Sequence, residues 1–327
     1  LLLLLSLSII AVLFALNLFM GDVAIPVSDI FTLLSGGEVE NSSWSYIIES
    51  RLNRSIVAVF SGAALALSGI ILQVYFRNPL AGPGVLGITS GASLGVAFIM
   101  LGGVGVVSFF GQIGVIAAGI LGAVSVLFLL LLVSKFIHNA VTLLVIGLMF
   151  GYFTSAIIDV LFLWADLDET RAFVIWGMGS FEGLQTADLL LMCGIILVAI
   201  VASVFLIKPM NALVLGSEYA SSLGINLKVT KYLVILLTGV LAAIVTVYCG
   251  PISFIGVAVP QLVRLIWSSK NHLIQIPATL ILGAVLALLA DLIVRLSGNS
   301  LPLNTVTALI GAPIIIYTII KLNKKIA

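Results

Sequence analysis

Charge is what this chain has least of. Asp, Glu, Lys and Arg make up 8% of its 327 residues and 62% are hydrophobic, whereas a soluble domain carries roughly a quarter charged residues. With a mean hydropathy of +1.33, no water-soluble core could bury this much apolar surface. Cysteine is almost absent. Cys193 and Cys249 each fall inside an apolar run, so a disulfide framework is not expected and both read as small apolar residues. The net charge of +1 gives no reason to expect a nucleic-acid partner. There is no HExxH, GxSxG or Walker A pattern, and the chemistry those patterns carry is not expected either. An enzyme reading has almost no support.

What the chain does have is long apolar runs. They extend about 20 residues, the length a helix needs to cross a bilayer; barrel strands would be half as long and alternate in polarity. The expected fold is therefore all-α, a polytopic transmembrane helix bundle forming one domain over 1–327. About ten spans are expected, near 1–20, 54–76, 84–105, 112–134, 140–164, 189–207, 230–250, 253–268, 273–296 and 303–322. The eighth is short, and its opening GPISFIG carries Gly250, Pro251 and Gly256, which predicts a broken helix or a re-entrant turn. The first run, LLLLLSLSIIAVLFALNLFM, lacks a basic flank and a small-residue cleavage site. It reads as a spanning helix in a chain trimmed ahead of it, not as a signal-peptide core. The longest polar connections are 21–50, 165–188 and 208–229.

The few charges set the orientation. Arg77, Lys135, Lys208, Lys228, Lys231, Arg264, Lys270, Lys321, Lys324 and Lys325 all fall on one side of the expected bundle. That side is expected to be cytoplasmic, with both termini on it. The other side holds Asp22, Asp29, Glu38, Glu40, Glu49, Asp166, Asp168, Glu169, Glu182 and Asp188. Its four basic residues are all arginine: Arg51, Arg54, Arg171 and Arg295.

In ESRLNRSIVAVF, residues 49–60, Arg51 and Arg54 are one helical turn apart and are expected at the mouth of the second span. Arginine suits bidentate pairing with a partner's carboxylates. It also suits snorkelling to lipid headgroups, or pairing with nearby acids. Arg295 has such an acid in Asp291, four residues earlier. The residues alone leave docking and anchoring level. Within the spans the ionisable residues are few, Asp159 and Asp291, which weighs against an ion-coupled secondary transporter. His138 and His272 are expected at the basic rim in solvated positions.

Glycine is plentiful. In FRNPLAGPGVLGITSGASLG, residues 76–95, Gly87, Gly91 and Gly95 recur every four residues, and Ser61, Gly62, Ser68 and Gly69 line the span before. Small residues at this spacing predict closely packed helices. The polar stretch KPMNALVLGSEYASSLGINLKV, residues 208–229, predicts a short helix. It would start at Gly216 and Ser217, carry Glu218 in its first turn and stop at Gly224. Such a helix suits a partner's groove or a bilayer surface.

Several long stretches then resemble one family. They are RLNRSIVAVFSGAALALSGIILQVYFRNPLAGPGVLGITSGASLG (51–95), LGSEYASSLGIN (215–226), GPISFIGVAVPQLVRL (250–265) and LPLNTVTALIGAPIIIYTIIK (301–321). In this order they resemble the FecCD-type permeases, membrane subunits of bacterial ABC importers for iron-siderophores, haem and cobalamin. The resemblance implies a multi-pass protein of the bacterial inner membrane, paired with a second permease subunit, itself or a close paralogue, around a central path. It implies two ATP-binding subunits, which hold ATP and Mg, and a periplasmic or lipid-anchored substrate-binding protein. No cofactor on this chain and no catalysis by it are implied. Arg51, Arg54 and Arg295 match arginines that receive glutamates of the binding protein. Leu215, Gly216, Ser217, Glu218, Tyr219, Ala220, Ser221, Ser222, Leu223 and Gly224 match the coupling helix that enters the ATPase groove. A pair between Asp291 and Arg295 is expected to be exposed, worth at most about 1 kcal/mol, and to yield to an incoming glutamate. Among cargoes, a ferric siderophore ranks ahead of haem and cobalamin. One departure stands out: the family pattern usually reads VPHLVR, and here Gln261 takes the histidine position. Gln can hydrogen-bond but cannot titrate near neutral pH.

Overall fold

The computed structural model describes residues 2–21, 23–37, 39, 42–102, 106–137, 139–267 and 269–323. Asp22, Glu38, Glu40, His138, Lys324 and Lys325 lie outside the described residues. The described residues are all-helical, with no strand among them. In chain order the helices are α1 (Leu2–Phe19), α2 (Val27–Leu34), α3 (Ser42–Tyr75), α4 (Ile88–Met100), α5 (Val106–Ser134), α6 (Ala140–Phe162) and α7 (Leu167–Gly177). They continue with α8 (Thr186–Ser203), α9 (Ile207–Leu213), α10 (Ser217–Ser222), α11 (Leu227–Cys249), α12 (Ile255–Ile266), α13 (His272–Leu296) and α14 (Leu303–Asn323).

Among the described residues, seven stretches are long and apolar enough to cross a membrane: α1, α3, α5 from Ile113, α6, α8 continued through α9, α11 and α13. Three apolar helices are shorter: Ile88–Met100, Ile255–Ile266 and Leu303–Thr318. Leu303–Thr318 is part of the longer α14, and the shortness of α4 and the break ahead of α12 have local causes. The 13 residues of α4 rise only about 20 Å. The helix cannot start earlier because Pro83 and Gly84 form a 3-10 turn and Gly87 takes φ +73°. In GPISF, Gly250 (φ 72°) and Phe254 (φ 66°) turn the chain between α11 and α12. The freed groups find partners there: Ser180 N donates to Cys249 O at 2.9 Å, and Ser253 N to Asn304 Oδ1 at 2.9 Å.

The polar connections are largely helical, and 208–229 holds the short helix expected there. Residues 21–50 contain α2 and the first turns of α3, 165–188 contain α7, and 208–229 contain α10 and most of α9. The 34 residues of α3 span about 50 Å, well beyond the hydrocarbon core of about 30 Å.

Helix α3 is the hub of the bundle and packs against α1, α8, α11, α12 and α13. Bare backbones make this possible. A Cβ on Gly62 would run into the carbonyl oxygen of Gly283, and one on Gly69 into that of Gly256. The strip on α4 divides its work: Gly91 and Gly95 face Gly122 and Ala118 of α5, whereas Gly87 abuts Gly147 of α6. Van der Waals contact between close backbones is what holds helices together in lipid. Cys193 and Cys249 are both free thiols.

Candidate functional site

Arg51 and Arg54 do not stand at a helix mouth. Because α3 begins at Ser42, they lie inside it, and Arg51, Arg54 and Arg295 are each only 6% exposed. Burial of a guanidinium requires partners, and the structure supplies them. Arg51 donates to Leu18 O (3.1 Å) and Val23 O (2.6 Å), which ties the end of α1 to α3. Its guanidinium lies against Gly21, where a Cβ would stand 2.6 Å from Nη2.

Asp291 corrects a second expectation. The pair with Arg295 is not exposed, since Asp291 is 1% exposed and bridges two arginines. Arg54 Nε donates to its Oδ1 at 2.7 Å and Arg295 Nε to its Oδ2 at 2.9 Å. The i,i+4 spacing holds Arg295 in place on α13, while α3 brings Arg54 from across the bundle. Arg54 also donates to Asn299 Oδ1 at 3.2 Å and pairs with Glu182. Arg295 Nη1 donates to Asn17 O at 2.8 Å, and its buried Nη2 has no partner.

Arg51, Arg54, Arg295, Glu182 and Asn299 line a cavity of about 220 Å³, together with Tyr46 and Ser50. Three guanidinium groups, Arg51, Arg54 and Arg295, converge on this cavity. Asp291 is sealed in, but the Glu182 side chain is 48% exposed. Glu182 is the partner that sequence reasoning missed. It lies 128 positions from Arg54, in the bend after α7, and nothing local signals the pairing. Arg171 is exposed on α7 and does not line this cavity.

At the other end, α10 forms over Ser217–Ser222 with Glu218 in its first turn. Leu223 caps it and Gly224 follows at φ +79°. Gly216 enters at φ +127°, beside Arg77 Nη2. Ala220 is fully buried while Tyr219, Leu223 and Leu215 are exposed. The helix thus rests on the bundle by its small residue and turns its large ones outward. Nearby, Lys231 Nζ donates to the carbonyls of Ser134 and Ile137, satisfying the C-terminal end of α5.

Gln261 is buried, and its Nε2 donates to Pro79 O at 2.6 Å and Gln73 Oε1 at 3.2 Å. It ties α12 to the end of α3 without needing a proton to move. His272 is also a correction. It is 1% exposed instead of solvated, because α13 begins under the chain that carries Asn211, whose Oδ1 lies 2.7 Å from its Nδ1. Among the described residues no cluster could hold a metal ion.

Comparison with known proteins decides the family. The model of the FecCD transport family matches residues 9–321. The chain belongs to the FecCD transport family. Its relatives in that family include the vitamin B12 import system permease protein BtuC of Klebsiella pneumoniae, 36% identical over 84% of this chain and 82% of BtuC. The hemin transport system permease protein HmuU of Yersinia pestis is 31% identical over 89% of this chain and 88% of HmuU. A solved inward-facing conformation of a transporter described as metal-chelate type ABC superposes with a TM-score of 0.85, at 29% identity, covering 98% and 99% of the two chains. A FecCD-family chain with seven membrane-length apolar helices is a multi-pass membrane permease, and the family is one of transport subunits, not enzymes.

Proposed function

We propose that this chain is the membrane subunit of an ATP-driven importer for a metal chelate in the bacterial inner membrane. Two copies, or this chain and a close paralogue, would enclose the path. The observation that carries the reading is the family match over nearly the whole chain, joined to two differently built ends. One end presents a cavity lined by three arginines. The other presents a short helix with its large side chains turned outward. The seven long and three shorter apolar helices are read together as about ten spans, with both termini cytoplasmic beside the lysines.

On this reading a loaded binding protein brings a carboxylate to the Arg51, Arg54 and Arg295 cavity. Asp291 holds Arg54 and Arg295 in place from below, and Glu182 occupies the exposed quarter that the incoming acid takes. ATP and Mg belong to two partner ATPases, and their motion reaches the bundle through Leu215–Gly224. This chain supplies no catalytic group.

A ferric siderophore remains the first cargo to test. The names of the Klebsiella and Yersinia relatives favour a second reading, in which the chelate is cobalamin or haem.

The test is uptake by liposomes holding the chain, its ATPase and its binding protein, with each cargo in turn. Arg54→Glu is a poor variant because it sets a carboxylate against buried Asp291. Tyr46→Glu is better, since Tyr46 is 77% exposed at the cavity rim. A negative rim charge should weaken capture of an acidic partner roughly tenfold or more and leave the fold intact. Uptake of one cargo, weakened by Tyr46→Glu, fixes cargo and docking face together. Unchanged uptake in Tyr46→Glu removes the docking role, and no ATP-dependent uptake removes the importer reading.

A further inference from the structure

The lysine-rich end holds a second cavity, of about 420 Å³, where α3 and α12 end and α13 begins. Arg77, Arg264 and Lys270 line it, and among the described residues no lining residue is acidic. Arg264 is half-buried, and among the described residues no ion pair or hydrogen bond engages it. His272 completes the wall. Its Nδ1 lies 2.7 Å from Asn211 Oδ1, an atom that only accepts, so the proton is on Nδ1. Nε2 then presents a lone pair, and this buried atom has no partner.

A half-buried guanidinium without a counter-charge is unfavourable. Its planar fork matches an oxyanion, and Arg77 and Lys270 add charge on the same wall. The unpartnered Nε2 asks for something further, a hydroxyl that can donate. A phosphoryl group answers both needs. Its oxygens pair with the cations, and its own P–OH, or a hydroxyl carried beside it, donates to Nε2. Trp267 on the same wall is the residue type that settles at headgroup depth, and basic pockets between membrane helices hold anionic headgroups.

We propose that this cavity binds a phosphoryl anion, presented by an anionic lipid headgroup or by soluble phosphate. The site touches the transmission end of the molecule. Val214 lines it, Arg77 Nη2 reaches Leu213 O at 3.4 Å, and the same nitrogen borders Gly216 at the start of α10. A bound anion would therefore brace the α9–α10 link against α3 and α12. This inference stands whatever the cargo and whether or not Arg51 and Arg54 receive a partner.

The experiment uses the purified full-length chain in detergent. Native mass spectrometry compares phosphatidylglycerol with phosphatidylcholine, and calorimetry measures inorganic phosphate. The variants are Arg264→Gln and, at the exposed rim, Lys270→Gln, which keeps the test alive should Arg264→Gln fold poorly. The expected result is preference for phosphatidylglycerol, weakened roughly tenfold or more in each variant with unchanged helical content. Phosphatidylglycerol binding alone names the lipid as the source, and phosphate binding lost in the same variants names the soluble anion. No preference between the lipids together with no phosphate binding overturns the proposal, and Arg264 then meets a carboxylate of a protein partner instead. Binding undiminished in both variants overturns it as well.

Discussion

Arg54 and Asp291 meet from positions 237 residues apart, Nε to Oδ1 at 2.7 Å, with Asp291 sealed from solvent. The same carboxylate holds Arg295 by its other oxygen. One buried acid therefore fixes two guanidinium groups and joins α3 to α13, the two helices whose backbones touch at Gly62 and Gly283. Asp291 thus fixes the arginine cavity within the bundle, and among the described residues the exposed carboxylate that lines it is Glu182.

Asp291→Ala should destabilise the chain strongly, by about 3–5 kcal/mol, because it strands buried Arg295 and removes the buried carboxylate from Arg54. Thermal unfolding in detergent checks this. Asp291→Leu with Arg295→Leu removes a charge of each sign and leaves Arg54 with Glu182 and Asn299, so it should recover part of the loss. A double variant no better than Asp291→Ala would mean that Arg54 alone carries the cost.

How much of this could be read in advance depends on distance along the chain. Asp291 and Arg295 are four apart, and their pairing was legible. Its burial was not, because it depends on α1 and α3 covering α13, and Asn17 and Arg54 are far away in sequence. The α10 helix was legible to within a residue, since Glu218 and Gly224 are local signals at its two ends. The start of α3 was misread by twelve positions. Residues 42–53 are too polar to look membrane-spanning, yet nothing in them breaks a helix, and it simply projects beyond the apolar layer. His272 looked solvated beside Lys270, but one turn of chain geometry buries it.

Glu182→Gln should change little in stability, less than about 1 kcal/mol, since the side chain is half in solvent. It should raise the affinity of an acidic binding protein several-fold by freeing Arg54 from an internal competitor. Equilibrium binding between the purified partners reads this directly. An affinity that falls would make Glu182 a contact of the partner, not its rival.

Gly62→Ala should damage folding, because its Cβ falls on the backbone of Gly283 and neither helix can give way locally. A loss of about 1–3 kcal/mol or more is expected, visible as a lower unfolding temperature and a poor yield of monodisperse protein. Gly177→Ala is the control. Nothing lies within 4 Å of a Cβ there, so it should behave as wild type, and equal damage from both would dissolve the close-packing argument.

Tyr219→Ala separates folding from coupling. Tyr219 is exposed on α10, while its neighbour Ala220 is fully buried and carries the contact with the bundle. Losing the tyrosine ring should leave the chain's unfolding temperature unchanged. If Leu215–Gly224 is the element that the ATPase grips, the variant should show ATP hydrolysis that persists while uptake per ATP falls several-fold. Ala220→Leu should do more, since the added bulk lifts α10 off its seat and both stability and uptake should drop. Wild-type uptake per ATP in Tyr219→Ala would leave α10 as a surface helix with no part in transmission, and the search for the coupling element would move to α9 and the Arg77 side of the same face.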